Sequence, residues 1–126
     1  MGADDAWFLI TLLHYEEKFN IELQAIRIVP GNTSSHHAAQ NTLLLLKTLK
    51  RTDIKVYLGA TDSLLRKKDY RSNFHGEDGF QDLIKSHDKP SLDLTQKVHA
   101  IEAMRRLIEE VKAVKLMIFK LTVIFL

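Results

Sequence analysis

Two adjacent aspartates, Asp4 and Asp5, stand near the start of the chain and directly precede the apolar run "AWFLI". One use for such carboxylates is to cap a helix. Asp4 can accept backbone N–H bonds at the helix start, and both charges complement the positive end of the helix dipole. The other use is to contact a ligand, and the choice depends on where the surrounding elements place the two side chains.

The elements predicted from hydrophobic periodicity alternate between helix and strand. In chain order they are a helix 5–20, a strand 21–30, a helix 36–50, a strand 54–60, a loop 61–90 with a short helix near 80–85, and a helix 94–110. Apolar residues surround most of the first helix, which predicts that it is buried and that Trp7 lies in the core. Strands that alternate with helices favour an α/β fold on a parallel sheet.

Three polar clusters fall at one edge of this predicted sheet. "PGN" follows the first strand, and the long loop follows "YLGA" at the end of the second. In a doubly wound fold a strand normally delivers the chain to each helix, so Asp4 and Asp5 would lie at the same edge. Ligands in such folds bind outside the carboxyl ends of the strands. The shared position therefore favours ligand contact over unrelated helix caps.

Four short motifs stand in the order and spacing typical of one enzyme family. They are "GADDAW", "VPGNTS", "RTDIKVYLGA" and "FHGEDGFQDL". Together they resemble the inosine–uridine type nucleoside hydrolases over about residues 2–110. The resemblance implies a partial doubly wound, mainly parallel sheet of the nucleoside hydrolase type. It also implies calcium-dependent hydrolysis of a nucleoside to free base and ribose.

The resemblance implies roles for four residues where the motifs match. Asp4 would hold the ribose 2′- and 3′-hydroxyl groups, and Asp5 would ligate calcium, which prefers several carboxylate oxygens among its ligands. Asn32 of "PGN" would lie near the ribose and the metal carboxylates. His75 of "HGED" would lie on the base side of the pocket. The alternatives are that Asn32 is only a turn residue and that His75 belongs to the loop surface.

The polar residues near these motifs are expected to have structural roles or to face solvent. Asp78 and Glu77 are expected to brace the loop that carries His75, and His36 and His37 are expected to be solvated at the start of a helix. The charge run "RRLIEEVK" is typical of a helix surface with local ion pairs.

The chain departs from the family pattern at both ends. The family aspartate that usually acts as general base would precede Met1, and the later ribose, calcium and leaving-group residues would lie beyond Leu126. We therefore expect a fragment truncated at both ends, with part of the domain over residues 1–110 and a divergent apolar tail over 111–126. No catalytic residue is assigned, and the chain alone is expected to be inactive. The alternative function is that of a non-catalytic remnant, either an interaction fragment or a product without function.

Composition limits the remaining possibilities. Hydrophobic residues make up 45% of the chain, charged residues 27%, and the net charge is +2 with no clustered basic face, so no nucleic-acid partner is expected. There is no cysteine, which excludes a disulfide framework. The tail has 16 residues with three lysines, too short and too charged for a membrane span. We expect a nucleoside partner, a cytoplasmic location, and self-association through unpaired sheet edges and the tail.

Overall fold

The computed structural model describes residues 1–31, 33–61, 75–82 and 88–110. The elements in chain order are α1 (Ala3–Phe19), β1 (Ala25–Ile28), α2 (Ser35–Thr48), β2 (Lys55–Leu58), a short 3₁₀ helix (Leu92–Leu94) and α3 (Ala100–Glu110). The predicted Asn32 position and the segment 111–126 lie outside the described residues.

The two strands pair in parallel, in register from Ala25 with Lys55 to Ile28 with Leu58. Since parallel neighbours require a crossover, α2 connects the end of β1 to the start of β2. The observed helices and parallel strand pair confirm the predicted α/β class. They also place the residues after β1 and after β2 at one edge of the pair.

The core lies between the strand pair and one face each of α1 and α2. Ile26 and Val56 are paired across the strands and are each 1% exposed, while Leu9 of α1 and Leu46 of α2 are also buried. The β-branched strand residues fit a pleated, buried surface, and the leucines add apolar area from the helices. The core therefore joins α1, β1, α2 and β2.

Within the described residues, helix α1 packs along one stripe. Leu9 is fully buried, and Ala6 and Leu13 pack against the same core cluster. Trp7 is 70% exposed and Phe19 is 60% exposed. The prediction that Trp7 lies in the core is therefore wrong. A helix that is apolar on all sides is buried only where other elements cover it, and the described residues cover only the Leu9 side.

The C-terminal end of α1 is held by one carboxylate. Glu16 accepts a hydrogen bond from the backbone N–H of Leu23 at 2.8 Å and pairs with the guanidinium of Arg51, which precedes β2. Partial burial opposes ionisation of Glu16, but the hydrogen bonds from Arg51 and Leu23 outweigh it and lower the pKa of this carboxyl. Glu16 thus ties α1 to the entrance of both strands.

Helix α3 begins later than predicted. Ser91 caps a separate 3₁₀ turn, and the N–H of Gln96 then donates to the Val56 carbonyl of β2 at 2.8 Å, so an extended segment replaces the predicted helix start at 94. The predicted surface ion pairs are present, because Arg105 bonds to Glu102 and Glu109 on adjacent turns. Among the described residues, no helix is long and apolar enough to cross a membrane.

Candidate functional site

Three separate stretches of sequence meet beside the start of α1. The three stretches meet at Gly79, which leaves no room for a side chain. A Cβ added at Gly79 would lie 2.5 Å from the carbonyl oxygen of Met1 and 3.0 Å from Cγ2 of Thr33. Met1 leads into the aspartate pair, Thr33 follows β1, and Gly79 ends the sequence "HGEDG". The structure therefore brings together the first, second and fourth motifs that the sequence analysis singled out.

The two aspartates occupy different environments on the first turn of α1. Gly2 is the N-cap residue, and Asp5 Oδ2 accepts a hydrogen bond from the Gly2 N–H at 2.9 Å. The carboxylate that bonds to the helix start is therefore Asp5, although Asp4 was the expected one. Asp5 is buried and Asp4 is exposed. Asp4 is thus open to a ligand, whereas Asp5 faces the protein.

Burial raises the pKa of the Asp5 carboxyl, because the charged form loses solvation. The hydrogen bond from Gly2 and the nearby His75 act in the opposite direction, while Asp4 adds a like charge that raises it further. A buried carboxylate with a raised pKa is commonly found at a functional site, although structural networks also produce one. The packing of Gly79 against the Met1 carbonyl places "DD" and "HGED" in the same part of the molecule.

The loop that carries His75 is braced from within. Asp78 is 3% exposed, and its Oδ1 accepts the N–H groups of Phe80 at 2.7 Å and Asp82 at 2.9 Å. Asp82 Oδ1 in turn accepts the N–H of Asp78 at 3.0 Å. The predicted bracing role of Asp78 is confirmed. Gln81 and Asp82 have left-handed φ values of 55° and 57°, so the short helix predicted near 80–85 does not form at its described residues.

His75 itself is 6% exposed. It is therefore not a loop-surface residue, which was the alternative interpretation. Its backbone carbonyl accepts the N–H of Gln81 at 2.7 Å, closing the loop on itself. Glu77, by contrast, has an exposed side chain and contributes to the structure through its carbonyl oxygen.

The start of α2 holds this loop from the other side. Ser34 caps α2, because its side-chain oxygen accepts the N–H of His37 at 3.2 Å. The expectation that His37 is solvated is wrong, because its Nδ1 lies 3.2 Å from both Thr33 Oγ1 and the Glu77 carbonyl oxygen. His36 is exposed, as expected. Sequence inspection missed Asn41, which is 1% exposed and donates to the carbonyl of Asp78 at 2.7 Å.

The described residues do not by themselves form a calcium site. Calcium takes six to eight oxygen ligands. Within residues 1–31, 33–61, 75–82 and 88–110, no group of three or more histidine, aspartate or glutamate side chains could hold a metal. The suitable donors at this edge are the carboxylates of Asp4 and Asp5, and one Asp5 oxygen already accepts the Gly2 N–H.

A cleft of about 180 Å³ lies away from this edge. Its lining includes Leu46 from the later half of α2, Ile54 and Lys55 at the start of β2, and Leu94 of the 3₁₀ turn. These residues lie at the amino end of β2, opposite the end where ligands bind in parallel α/β sheets. We therefore place the candidate site at the converging loops, since Asp4, Asp5 and His75 are there.

Comparison with known proteins establishes the family. Residues 1–124 match the family described as inosine-uridine preferring nucleoside hydrolase. The chain belongs to this family. The match extends through most of segment 111–126, and the proposed division at residue 110 stays a prediction.

Curated relatives carry a more specific name. The pyrimidine-specific ribonucleoside hydrolases RihA of Salmonella typhi and Salmonella typhimurium are each 34% identical to the chain over 113 residues. The alignment covers 86% of this chain and 33% of each relative. The chain thus spans about a third of the length of these hydrolases.

Proposed function

We propose that this chain forms part of the nucleoside site of a calcium-dependent N-ribohydrolase, which cleaves a nucleoside with water into free base and ribose. The observation that carries the proposal is the close packing of the "HGEDG" loop against the segment before the aspartate pair, where a Cβ added at Gly79 would lie 2.5 Å from the Met1 carbonyl oxygen, together with the burial of Asp5 and His75. Family membership supplies the reaction class. The proposal places β1 and β2 in a larger doubly wound sheet and the protein in the cytoplasm.

The proposed roles follow the exposure of each side chain. Exposed Asp4 accepts hydrogen bonds from the ribose 2′- and 3′-hydroxyl groups, since a carboxylate accepts from two neighbouring donors. His75 lies towards the base. Asp5 is a calcium ligand, and Asn32, which lies outside the described residues, is a ribose contact.

A chimera tests whether this chain carries the family site. The 113 matching residues of Salmonella typhimurium RihA are replaced by the corresponding residues of this chain, and release of free base from uridine is measured with calcium present. We expect turnover that is lost in Asp4→Ala and in Asp5→Asn. Asp53→Asn, which changes an exposed carboxylate before β2, is the matched control and should retain turnover. A folded chimera whose turnover survives both site substitutions would contradict the proposal.

The 126-residue chain by itself is expected to be inactive on inosine, uridine and a nitrophenyl riboside. General-base assistance typically contributes ~10²–10⁴-fold, and no described residue is assigned that role. The assay follows free base or nitrophenolate with the purified chain and calcium. Turnover that copurifies with the chain and disappears in Asp5→Asn would show that the chain suffices.

Calcium binding to the chain should be weak, with a Kd of about 10⁻⁴–10⁻³ M, the range of poorly furnished calcium sites. Two carboxylates supply few of the required ligands, and burial already raises the pKa of one of them. Titration calorimetry measures the calcium Kd of the wild-type chain and of Asp5→Asn. Micromolar binding that is abolished in Asp5→Asn would contradict the weak-site prediction.

A second candidate function, that of a non-catalytic interaction fragment, is favoured by the outer face of α1. Trp7 and Phe19 are 70% and 60% exposed, and large exposed apolar groups mark interaction surfaces. Sedimentation velocity over a range of concentrations distinguishes this candidate. Self-association that is reduced in Trp7→Ser and Phe19→Ser supports it, and a monomer at all concentrations argues against it.

A further inference from the structure

Three polar side chains stand at intervals of four residues, one just before α2 and two within it. They are Thr33, His37 and Asn41. Thr33 precedes the N-cap Ser34, whereas His37 and Asn41 lie four apart on the same face of α2. This face is directed at the loop that carries His75, and each of the three side chains contacts a backbone carbonyl of that loop.

The three contacts fall on two consecutive carbonyls. Thr33 Oγ1 donates to the carbonyl oxygen of Glu77 at 2.5 Å, and His37 Nδ1 lies 3.2 Å from the same oxygen. Asn41 Nδ2 donates to the next carbonyl, that of Asp78, at 2.7 Å. Side-chain hydrogen bonds to backbone carbonyls fix the path of the loop, whatever side chains the loop itself carries.

Asn41 contacts two separate segments of the chain. It is 1% exposed, and Nδ2 also lies 3.5 Å from the carbonyl oxygen of Met1, just before the aspartate pair. Gly79 sits against the same amide, since an added Cβ would lie 3.4 Å from Asn41 Nδ2. A single amide group therefore bridges the segment that leads to Asp4 and Asp5 and the loop that carries His75.

The loop transmits this contact to His75. The Gln81 N–H bonds to the His75 carbonyl, and the Asp78 carboxylate bonds to the N–H groups of Phe80 and Asp82. These bonds make residues 75–82 one braced unit. A shift at the Asp78 carbonyl would thus move His75 relative to α1.

We propose that Asn41 is a positioning residue of the nucleoside site, holding His75 at its distance from Asp5 by anchoring the Asp78 and Met1 carbonyls. It touches no reacting atom in this proposal. The inference rests on the proposed function for its catalytic meaning, but the anchoring itself is a structural claim that can be measured separately.

The test compares Asn41→Leu with Thr42→Val in the full chain. Asn41→Leu keeps the number and branching of the side-chain heavy atoms and removes the donor. Thr42 is equally buried on the same helix, but its hydroxyl donates to the Ala38 carbonyl within α2 and meets the N-terminal segment through the weak acceptor Met1 Sδ at 3.8 Å. Hydrogen exchange of the Phe80 and Asp82 amides reports opening of the loop, and NMR of the His75 ring reports its surroundings.

We expect Asn41→Leu to accelerate exchange of these two amides about ten-fold, the effect of losing one net hydrogen bond. The His75 ring resonances should shift in the same variant. Thr42→Val should leave both readouts at their wild-type values, even where it lowers the melting temperature. Equal effects of the two variants on the loop amides would overturn the proposal, because Asn41 would then act only through general stability.

A second variant and a kinetic assay extend this test. Thr33→Val removes a donor to Glu77 and should loosen the same amides, so it substitutes for Asn41→Leu where that variant does not fold. No loosening in a folded Thr33→Val chain would then overturn the anchoring. In the RihA chimera, Asn41→Leu should lower kcat by a larger factor than it raises KM. If the chimera without this substitution is inactive, that result counts against the proposed function and not against the anchoring by Asn41.

Discussion

The edge where the loops converge and the outer face of α1 distribute polar and apolar residues in opposite ways. At the edge, Asp5, His75 and Asn41 are 8%, 6% and 1% exposed. On the outer face of α1, Trp7 and Phe19 are 70% and 60% exposed. Hydropathy alone would expose the polar residues of the edge and bury the aromatic residues of α1. At these two places, burial therefore follows the convergence of segments rather than side-chain type.

The burial of polar residues at the edge and the exposure of aromatic residues on α1 have separate physical causes. A buried polar group is tolerated when it forms hydrogen bonds, and at the edge the backbone supplies them: Gly2 donates to Asp5, and Asp78 and Met1 accept from Asn41. The aromatic side chains of α1 need only apolar cover, and the described residues supply it on the Leu9 side.

The largest difference in stability is expected between two substitutions within α1, one on its buried side and one on its exposed side. Leu9→Ala should lower the free energy of unfolding by about 3 kcal/mol, since it removes a fully buried side chain and leaves a cavity. Trp7→Ala, two residues away on the exposed side, should change it by no more than about 0.5 kcal/mol. Urea denaturation of both variants measures the contrast. Similar losses would mean that α1 is covered on both sides in solution.

The close approach at the edge is tested by Gly79→Ala, with an expected loss of about 2–3 kcal/mol. Gly79 has a φ of +88°, and its added Cβ would lie 2.5 Å from the Met1 carbonyl oxygen. Gly59→Ala is the matched control. Its φ lies outside the left-handed region and its nearest contacts are 3.0 Å, to Ile28 O and Val29 Cγ1. A Gly79→Ala variant as stable as wild type would show that the loop does not rest on the N-terminal segment.

The smallest effect should come from Asp5→Asn, and its sign depends on pH. Burial raises the pKa of Asp5 above 3.8, so the folded chain holds this proton more tightly than the unfolded chain. The contribution to stability is therefore complete below the unfolded pKa and is lost as the pH rises through the raised folded pKa. Asn cannot ionise and retains an acceptor for the Gly2 N–H. Without calcium, Asp5→Asn should be more stable than wild type at about pH 8, and the gain should vanish on acidification.

Asp53→Asn controls for the sign of this pH dependence. The hydrogen bond from Arg51 lowers the pKa of exposed Asp53, so any stabilisation by that carboxylate is present above 3.8 and lost as the pH falls below it. Thermal melts at several pH values compare the two variants. A stability gain for Asp5→Asn that persists at low pH would show that the desolvated charge is not its cause.

Local patterns predicted much of the fold and part of the site. The strands formed within the predicted segments 21–30 and 54–60, because β-branched residues such as Ile26 and Val56 favour a buried sheet. The cap at Ser34 and the bracing by Asp78 were also predictable, since both depend on bonds to nearby backbone groups. The later start of α3 was not, because it depends on the bond from Gln96 to Val56 in another element.

The sequence by itself determined the alternation of helix and strand, the family, and which residues are candidates for the site, because these depend on local spacing and on motifs in a fixed order. Tertiary structure decided which of those residues are buried. It exposed Trp7, buried Asp5 beside His75, and gave His37 and Asn41 the carbonyls of a loop about 40 residues further along the chain. Such contacts depend on how distant segments approach in space, which no local periodicity encodes.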